Sequence, residues 1–256
     1  MKIVAINSSM RKGRTYELLK NIGNKLDYDF EIINLKDYNI NYCLGCEVCI
    51  KKDYCVINDD VEKLKEKLIN ADGIIISSPV YLENISGVLK TFFDRNCKWV
   101  HRSDLIGKPV LLVSTTAGSG LNDVLDYLES VMISWGMKPC GKIGRKIQEK
   151  KDVSLDELKL FIDSIERKSK KEKIKLSRLI RFQVQKAMST NLLDIDRIFW
   201  NKTGLINKNY FYEENTKINP ISKFISNQFG NFLSKKIKEN AQKVKIQGGD
   251  KIEENI

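Results

Sequence analysis

The chain has 256 residues, of which 42% are hydrophobic, so it can bury the core of one full domain and a smaller second one. No run of 18 or more apolar residues occurs, and the pattern therefore excludes a transmembrane helix. Residues 1–6 are followed at once by polar residues and lack a signal-peptide cleavage site, so we expect a cytoplasmic protein. In that reducing compartment, the six cysteines favour metal or redox chemistry over disulfides.

Charge divides the chain into two regions. Residues 1–168 carry 26 Lys and Arg against 24 Asp and Glu, a net charge of +2. Residues 169–256 carry 18 against 9, a net charge of +9. This break predicts a domain over residues 1–168 and a basic extension over residues 169–256.

Short apolar runs alternate with amphipathic stretches throughout residues 1–168. Strands are predicted at residues 2–7, 30–35, 73–78, 109–115 and 137–143, and helices at residues 14–26, 59–70, 84–95, 121–135 and after 154. Ser154 and Glu157 have the spacing of a capping box at the start of the last helix. This alternation predicts an α/β fold with a five-stranded, doubly wound parallel sheet. The loops that follow the strands should meet at one edge of the sheet, where such folds bind ligands.

The loop after the first predicted strand has the composition of a phosphate site. It offers hydroxyls, guanidinium charges and a glycine ahead of a helix: Ser8, Ser9, Arg11, Gly13, Arg14 and Thr15. A helix N-terminus adds backbone N–H donors. The loop has neither a Walker motif nor a dinucleotide-binding fingerprint, which favours a mononucleotide such as FMN. An ordinary capped turn is the alternative.

Two further loops could flank a flat heterocycle. After the third strand come Pro79, Val80, Tyr81, Leu82 and Asn84, and after the fourth come Thr115, Thr116, Ala117 and Gly118. An aromatic ring could lie against the ligand, and a glycine-rich loop permits close approach of the backbone. The alternatives are an aromatic residue that merely packs at the sheet edge and an ordinary flexible loop.

Together these three loops resemble the NADPH-dependent FMN reductase branch of the flavodoxin-like superfamily over roughly residues 1–165. The resemblance implies the strand order 2-1-3-4-5 and an FMN phosphate held by the first loop. It also implies an isoalloxazine flanked by the other two loops, with NAD(P)H as the electron donor. Catalytic side chains are not expected, because the flavin itself performs the electron chemistry.

A cysteine-rich loop over residues 41–58 is the most distinctive segment. Its spacing is C-x2-C-x2-C-x5-C, formed by Cys43, Cys46, Cys49 and Cys55. The thiolates suit a cluster, free redox-active thiols or a four-thiolate zinc site, and spacing alone leaves these open. The loop resembles the cysteine motif of the iron–sulfur flavoproteins, which implies FMN together with a [4Fe-4S] cluster. Cys97 and Cys140 lie outside the motif and are expected to be core or surface thiols.

The basic extension is predicted to be mainly helical. Apolar residues recur at helical spacing between 176 and 188 and between 221 and 237, with aromatic residues between these stretches. We expect this apolar and aromatic stripe to pack on the core or on a second subunit, and the residues from about 247 to fray. A basic face for an acidic redox partner, or for a membrane surface or nucleic acid, is the alternative.

The sequence therefore favours an FMN-dependent oxidoreductase reduced by NAD(P)H or a ferredoxin-like donor, with a [4Fe-4S] relay on the cysteine loop. A redox protein or small molecule would be the partner, and the chain would form a homo-oligomer. We expect neither nucleic-acid binding nor an integral membrane segment. The alternative is a non-enzymatic flavodoxin-like protein that senses redox state or metal. His101, the one histidine, is expected to be structural or solvent-facing.

Overall fold

The computed structural model describes residues 1–149, 151–169, 171–213 and 216–247, with side chains as far as residue 240. The chain forms two compact units, an N-terminal unit over Met1–Lys170 and a C-terminal unit over Lys171–Ile256. The predicted frayed end beyond residue 247 lies outside the described residues. No helix in the described part combines the length and apolarity needed to cross a lipid bilayer.

A five-stranded parallel sheet forms the centre of the N-terminal unit. Its strands are β1 (Lys2–Asn7), β2 (Asp29–Asn34), β3 (Gly73–Pro79), β4 (Pro109–Thr116) and β5 (Lys138–Lys146). They lie in the order β2-β1-β3-β4-β5, so the predicted flavodoxin-like topology is confirmed. β5 runs three residues past its predicted end, because residues 144–146 stay paired with the last residues of β4.

Helices cover both faces of this sheet. They are α1 (Arg14–Gly23), α2 (Val48–Lys52), α3 (Val61–Ile69), α4 (Gly87–Arg95), α5 (Leu121–Ser134) and α6 (Leu155–Ile165). Buried apolar residues of α3, α4 and α5 form one core, and those of α1 and α6 form a second. The middle of β3 is therefore buried on both sides, which explains its unbroken Ile-Ile-Ile run.

Two helices differ from their predicted bounds by three residues. α1 ends at Gly23 and not at residue 26, because the N–H groups of Lys25 and Leu26 donate to the carbonyl oxygens three residues back, Ile22 and Gly23, and so leave the α-helical pattern. α4 begins at Gly87 and not at residue 84, because Tyr81 and Asn84 close a tight turn first. The predicted capping box is present: the Ser154 hydroxyl accepts from the Glu157 N–H, and the Glu157 carboxylate accepts from the Ser154 N–H.

The C-terminal unit consists of helices and one short strand pair. Its elements are β6 (Glu172–Lys173), α7 (Leu176–Asn191), α8 (Asp194–Lys202), β7 (Thr216–Lys217) and α9 (Pro220–Gln247). Its aromatic residues pack on one another: Phe182 of α7 lies 4.9 Å from Phe211 and 5.5 Å from Trp200 between ring centroids. The unit therefore has an aromatic core of its own.

The later apolar stripe is not buried within this chain. Ile221, Phe224 and Phe232 of α9 are 70%, 64% and 58% exposed, so the prediction that the stripe packs on a second subunit remains a prediction. α9 packs on α7 at Gly230, where an added Cβ would lie 2.7 Å from Gln183 Oε1. The missing side chain of Gly230 thus leaves room for the Gln183 side chain.

Candidate functional site

The loop after β1 leads directly into α1. Gly13 occupies the N-cap position and has no side chain, so no side-chain bond caps the first-turn N–H groups. The guanidinium groups of Arg11 and Arg14 are exposed beside this helix end. Free N–H groups and positive charge at a helix N-terminus are the features that bind phosphate.

The two serines of this loop have different surroundings. Ser8 is fully buried, and its hydroxyl donates to the carbonyl oxygen of Ser77 at 2.9 Å. That bond ties the end of β1 to β3, so the structure gives Ser8 a role in the sheet. Ser9 Oγ accepts weakly from the Arg11 N–H at 3.5 Å, which leaves its hydroxyl proton available within the loop.

The loop after β3 contains strained backbone. Leu82 and Glu83 have φ angles of 46° and 61°, and the Tyr81 N–H donates to Asn84 O at 2.9 Å across the turn. Positive φ at two consecutive non-glycine residues is unfavourable, and such outliers concentrate at ligand sites. Leu82 projects from the tip at 98% exposure, and Tyr81 is 45% exposed.

The side chain of Asn84 is used within its own turn. Its Oδ1 accepts from the Ile85 N–H at 2.8 Å. This short-range bond stabilises the turn ahead of α4. The structure therefore gives Asn84 a role in shaping the loop.

The loop after β4 is held by its own hydroxyl groups. Thr116 Oγ1 donates to Ser119 O at 2.8 Å and accepts from the Gly118 N–H at 3.1 Å. Ala117 and Gly118 are exposed at the tip. A loop fixed in this way presents backbone at its surface, as the prediction required.

Three predicted loops come together at the carboxyl edge of the sheet. The Thr15 and Thr115 hydroxyl oxygens lie 2.7 Å apart in a buried hydrogen bond, which joins the start of α1 to β4. The Val80 N–H donates to Thr115 O at 2.8 Å, and Ser119 Oγ donates to Glu83 Oε1 at 2.8 Å. The loops after β1, β3 and β4 therefore form one connected surface.

The cysteine loop follows β2 at the same edge. Cys43 and Cys46 are exposed, and Cys49 and Cys55 are half-buried. All four line one cavity of about 70 Å³. The remaining walls are largely apolar, with Leu44, Ile50, Val56 and Ile57 among them.

A fifth cysteine lies in this cavity, which corrects the prediction for Cys97. Cys97 follows α4 and lines the cavity with the four motif cysteines, its Sγ 3.8 Å from that of Cys49. Burial and the neighbouring Cys49 raise the pKa of Cys97 to about 12. No sequence spacing could reveal this, because 48 residues separate the two thiols. Cys140 is buried in the core, as expected.

Arg95 holds the two ends of the cysteine loop together. Its Nη1 donates to Asn41 O at 2.9 Å and its Nη2 to Ile57 O at 3.3 Å. It also forms a buried ion pair with Asp59, with both side chains 1% exposed. Burial alone would raise the pKa of Asp59, but hydrogen bonds from Arg95 and from backbone N–H groups outweigh it and lower that pKa.

Arg102 holds the middle of the same loop. Its Nη2 donates to the carbonyl oxygens of Cys49 and Ile50, both at 2.9 Å. Its Nε donates to Asp53 at 3.1 Å, and Lys98 Nζ lies 3.0 Å from the same carboxylate. The sequence analysis assigned no role to these side chains, because the sequence does not show which loop an arginine far along the chain will contact. His101 beside them is half-buried, and burial followed by the charge of Arg102 lowers its pKa.

Comparison with known proteins identifies the N-terminal unit. Residues 1–149 match the profile of the NADPH-dependent FMN reductase family, which is more than half of the chain. The chain belongs to this family. Its fold and the predicted resemblance are thereby confirmed.

Two similar relatives of this FMN reductase family member are iron-sulfur flavoproteins. One from Archaeoglobus fulgidus is 36% identical over 55% of this chain and 66% of its own length. One from Clostridioides difficile is 30% identical over 80% of this chain and its whole length. A second Archaeoglobus fulgidus relative is matched over 49% of its length, so the chain spans between half and two thirds of the Archaeoglobus proteins.

A solved structure extends the likeness in fold. RosB, with a bound 8-demethyl-8-formylriboflavin-5'-phosphate intermediate, matches with a TM-score of 0.50 at 12% identity. The match covers 86% of this chain and 92% of RosB. At this identity the likeness concerns the fold alone.

The residues of the cysteine cavity fit an iron–sulfur cluster by their chemistry. Thiolates are the ligands of such clusters, and an apolar surround limits access of solvent. Among the described residues, however, no three Cys, His, Asp or Glu side chains are already grouped as a metal site. The thiols thus share a cavity without forming a closed cage.

Proposed function

We propose that this chain is an FMN-dependent oxidoreductase that receives electrons from NAD(P)H or a ferredoxin-like donor. A [4Fe-4S] cluster held by Cys43, Cys46, Cys49 and Cys55 would serve as its one-electron relay. The observation that carries the proposal is the convergence of the four cysteines on one cavity at the edge that also carries the phosphate-type loop. Family membership supports the flavin chemistry.

The loop after β1 would hold the phosphate of FMN. The uncapped N–H groups of α1 donate to it, and Arg11 and Arg14 compensate its charge. Ser9 adds a hydroxyl donor. The hydrogen bond between Thr15 and Thr115 fixes the position of this helix end relative to β4.

The loops after β3 and β4 would enclose the isoalloxazine. The backbones of Val80–Asn84 and of residues 115–118 would supply donors and acceptors, and Pro79 would anchor the first of these segments. Tyr81 would supply an aromatic side chain. When bound, FMN supplies both two-electron and one-electron chemistry, and the protein contributes orientation and electrostatics. The hydrogen bonds between these loops keep that surface in place without the ligand.

The cysteine loop would be kept in reach of the flavin by the arginines that support it. Arg95 fixes both ends of the loop and Arg102 fixes its middle, so the thiols keep their position beside the sheet. A bound cluster supplies one-electron transfer. The proposal also places the protein in the cytoplasm, because thiols must stay reduced to bind iron.

Redox partners and assembly complete the proposal. We infer a small-molecule or protein acceptor and a homo-oligomeric state. NAD(P)H oxidation measured with quinones, azo dyes and a ferredoxin would identify the acceptor class. Size-exclusion chromatography with light scattering would determine the assembly.

Anaerobic purification followed by flavin, iron and acid-labile sulfide analysis tests the proposal. We expect FMN, iron and sulfide in the purified protein. Alanine at any one of Cys43, Cys46, Cys49 or Cys55 should lower the iron content and leave FMN bound. Protein that lacks iron and sulfide even after anaerobic reconstitution would rule out the relay. FMN that is reduced neither by NAD(P)H nor by a reduced ferredoxin would favour the non-enzymatic sensor instead.

A further inference from the structure

A sizeable cavity lies within the C-terminal unit. It has a volume of about 420 Å³ and lies between α7, α9 and residues 206–209. Small-molecule sites in proteins commonly have volumes of about 300–1,000 Å³. The cavity is thus large enough for a small organic ligand.

Positive charge dominates the lining of this cavity. Lys186, Arg197, Lys208 and Lys238 all line it, and no Asp or Glu is found among its described lining residues. Arg197 pairs with Asp194 at 2.7 Å, outside the cavity lining. Cations gathered from four separate segments repel one another, and an anion between them relieves that repulsion.

Lys186 is the innermost of these cations. It is half-buried, and its Nζ donates to the carbonyl oxygen of Lys208 at 3.1 Å. A carbonyl oxygen is neutral, so this bond positions the ammonium group without neutralising it. Glu213, whose charge acts on this ammonium, lies outside the cavity lining, so the lining itself keeps its positive potential.

A chain of amides orients the polar wall. Gln183 Nε2 donates to Asn227 Oδ1 at 2.7 Å, and Asn227 Nδ2 donates to Asn209 Oδ1 at 3.4 Å. The N–H and Nδ2 of Asn209 donate in turn to Glu213, which lies behind it. Fixed amides beside fixed cations are suited to a ligand with several oxygen acceptors.

We propose that this cavity binds a small multivalent anion that carries phosphate or carboxylate groups. Lys186, Lys208 and Lys238 supply the attraction, with the paired Arg197 beside them, and the amides supply directional hydrogen bonds. Aromatic residues are missing from the described lining, so the site is built for polar groups and offers no ring to stack on. In this proposal, the excess positive charge of the C-terminal unit binds a specific ligand and does not merely attract acidic partners.

Titration calorimetry of the full-length protein tests this site. Inorganic pyrophosphate and citrate are the two probes, each at about 150 mM salt, where attraction between distant exposed charges is largely screened. The test variant is Lys208→Gln with Lys238→Gln. The control is Lys202→Gln with Lys223→Gln, which removes the same charge from α8 and α9 at exposed positions outside the cavity lining.

We expect one or both probes to bind. The cavity variant should raise the dissociation constant more than about tenfold, and the control should change it less than about twofold. Pyrophosphate binding alone would assign a phosphate ligand, and citrate binding alone a carboxylate ligand. The proposal is overturned if neither probe binds, or if both variants weaken binding equally, since equal weakening indicates unspecific attraction. Matching thermal melting curves would show that both variants are folded.

Discussion

The two units of this chain use charged side chains in opposite ways. In the N-terminal unit, positive and negative residues nearly balance, and two of its buried arginines, Arg95 and Arg102, are engaged in ion pairs and carbonyl contacts that support one loop. In the C-terminal unit, positive charge is in twofold excess, and four cations surround a cavity with no acid among its described lining residues. The first arrangement shapes a binding loop, whereas the second is itself suited to bind an anion.

The difference shows why charge must be judged by its surroundings. Arg95 is buried and bonds to Asp59 and two carbonyl oxygens. Removing it would leave the buried carboxylate of Asp59 without its partner. Lys186 donates to one carbonyl oxygen, and burial lowers its pKa although the charge of Glu213 acts in the opposite direction. An anion bound beside Lys186 would reverse that effect, since a nearby opposite charge favours the charged form.

The largest expected effect is at the buried pair of the N-terminal unit. Arg95→Met should lower the free energy of unfolding by about 3–5 kcal/mol, because it leaves Asp59 buried without its partner. Lys90→Met on the same helix removes an exposed ion pair with Asp94 and should cost less than about 1 kcal/mol. Urea denaturation measures both, and equal effects would contradict the supporting role of Arg95.

An effect of similar size is expected in the C-terminal unit. Trp200→Ala should destabilise the C-terminal unit by about 3–5 kcal/mol, because its ring packs in the aromatic core with Phe182 and Phe211. Calorimetry should show one transition moved to lower temperature, while FMN content stays the same. Ile198→Ala, on the same helix at 65% exposure, is the control. Loss of FMN in the Trp200 variant would show that the two units do not fold independently.

A smaller effect is expected at the phosphate loop. Ser9→Ala combined with Arg11→Ala should weaken FMN binding more than tenfold, or by about 1.4 kcal/mol, since a hydroxyl donor and a guanidinium are lost. Fluorescence titration of the flavin-free protein measures this. Lys20→Ala, at the other end of α1, should leave the affinity within about twofold. Unchanged affinity in the double variant would remove this loop from the FMN site.

The smallest expected effect is at the fifth thiol. Cys97→Ser should leave the iron content unchanged, because the four motif cysteines complete the ligand set of a [4Fe-4S] cluster. Cys49→Ser, its neighbour at 3.8 Å, should lower the iron content. Iron analysis of both variants after anaerobic purification makes the comparison. Iron loss in the Cys97 variant would make Cys97 a cluster ligand.

Much of the candidate site follows from local patterns along the chain. The loops after β1, β3 and β4 are recognisable because parallel strands bring their carboxyl ends to one edge, and the contact between Thr15 and Thr115 bears this out. Ser8 and Asn84 differ, since their side-chain oxygens bond within the sheet and within the turn. The sequence of a loop does not indicate which hydrogen-bond partner a hydroxyl or amide side chain will have.

Periodicity, turn chemistry and cysteine spacing by themselves determined the five strands, the loops at one edge and the four thiols in one segment, and the family resemblance implied the strand order. These features depend on neighbours within a few residues and on topology rules that hold for all parallel sheets. The tertiary structure decided that Cys97 joins the thiol cavity, that Arg95 and Arg102 support the cysteine loop, and that α9 packs through Gly230 with its phenylalanines exposed. Each of these rests on contacts between residues far apart in the chain, and such contacts exist only once the elements have packed.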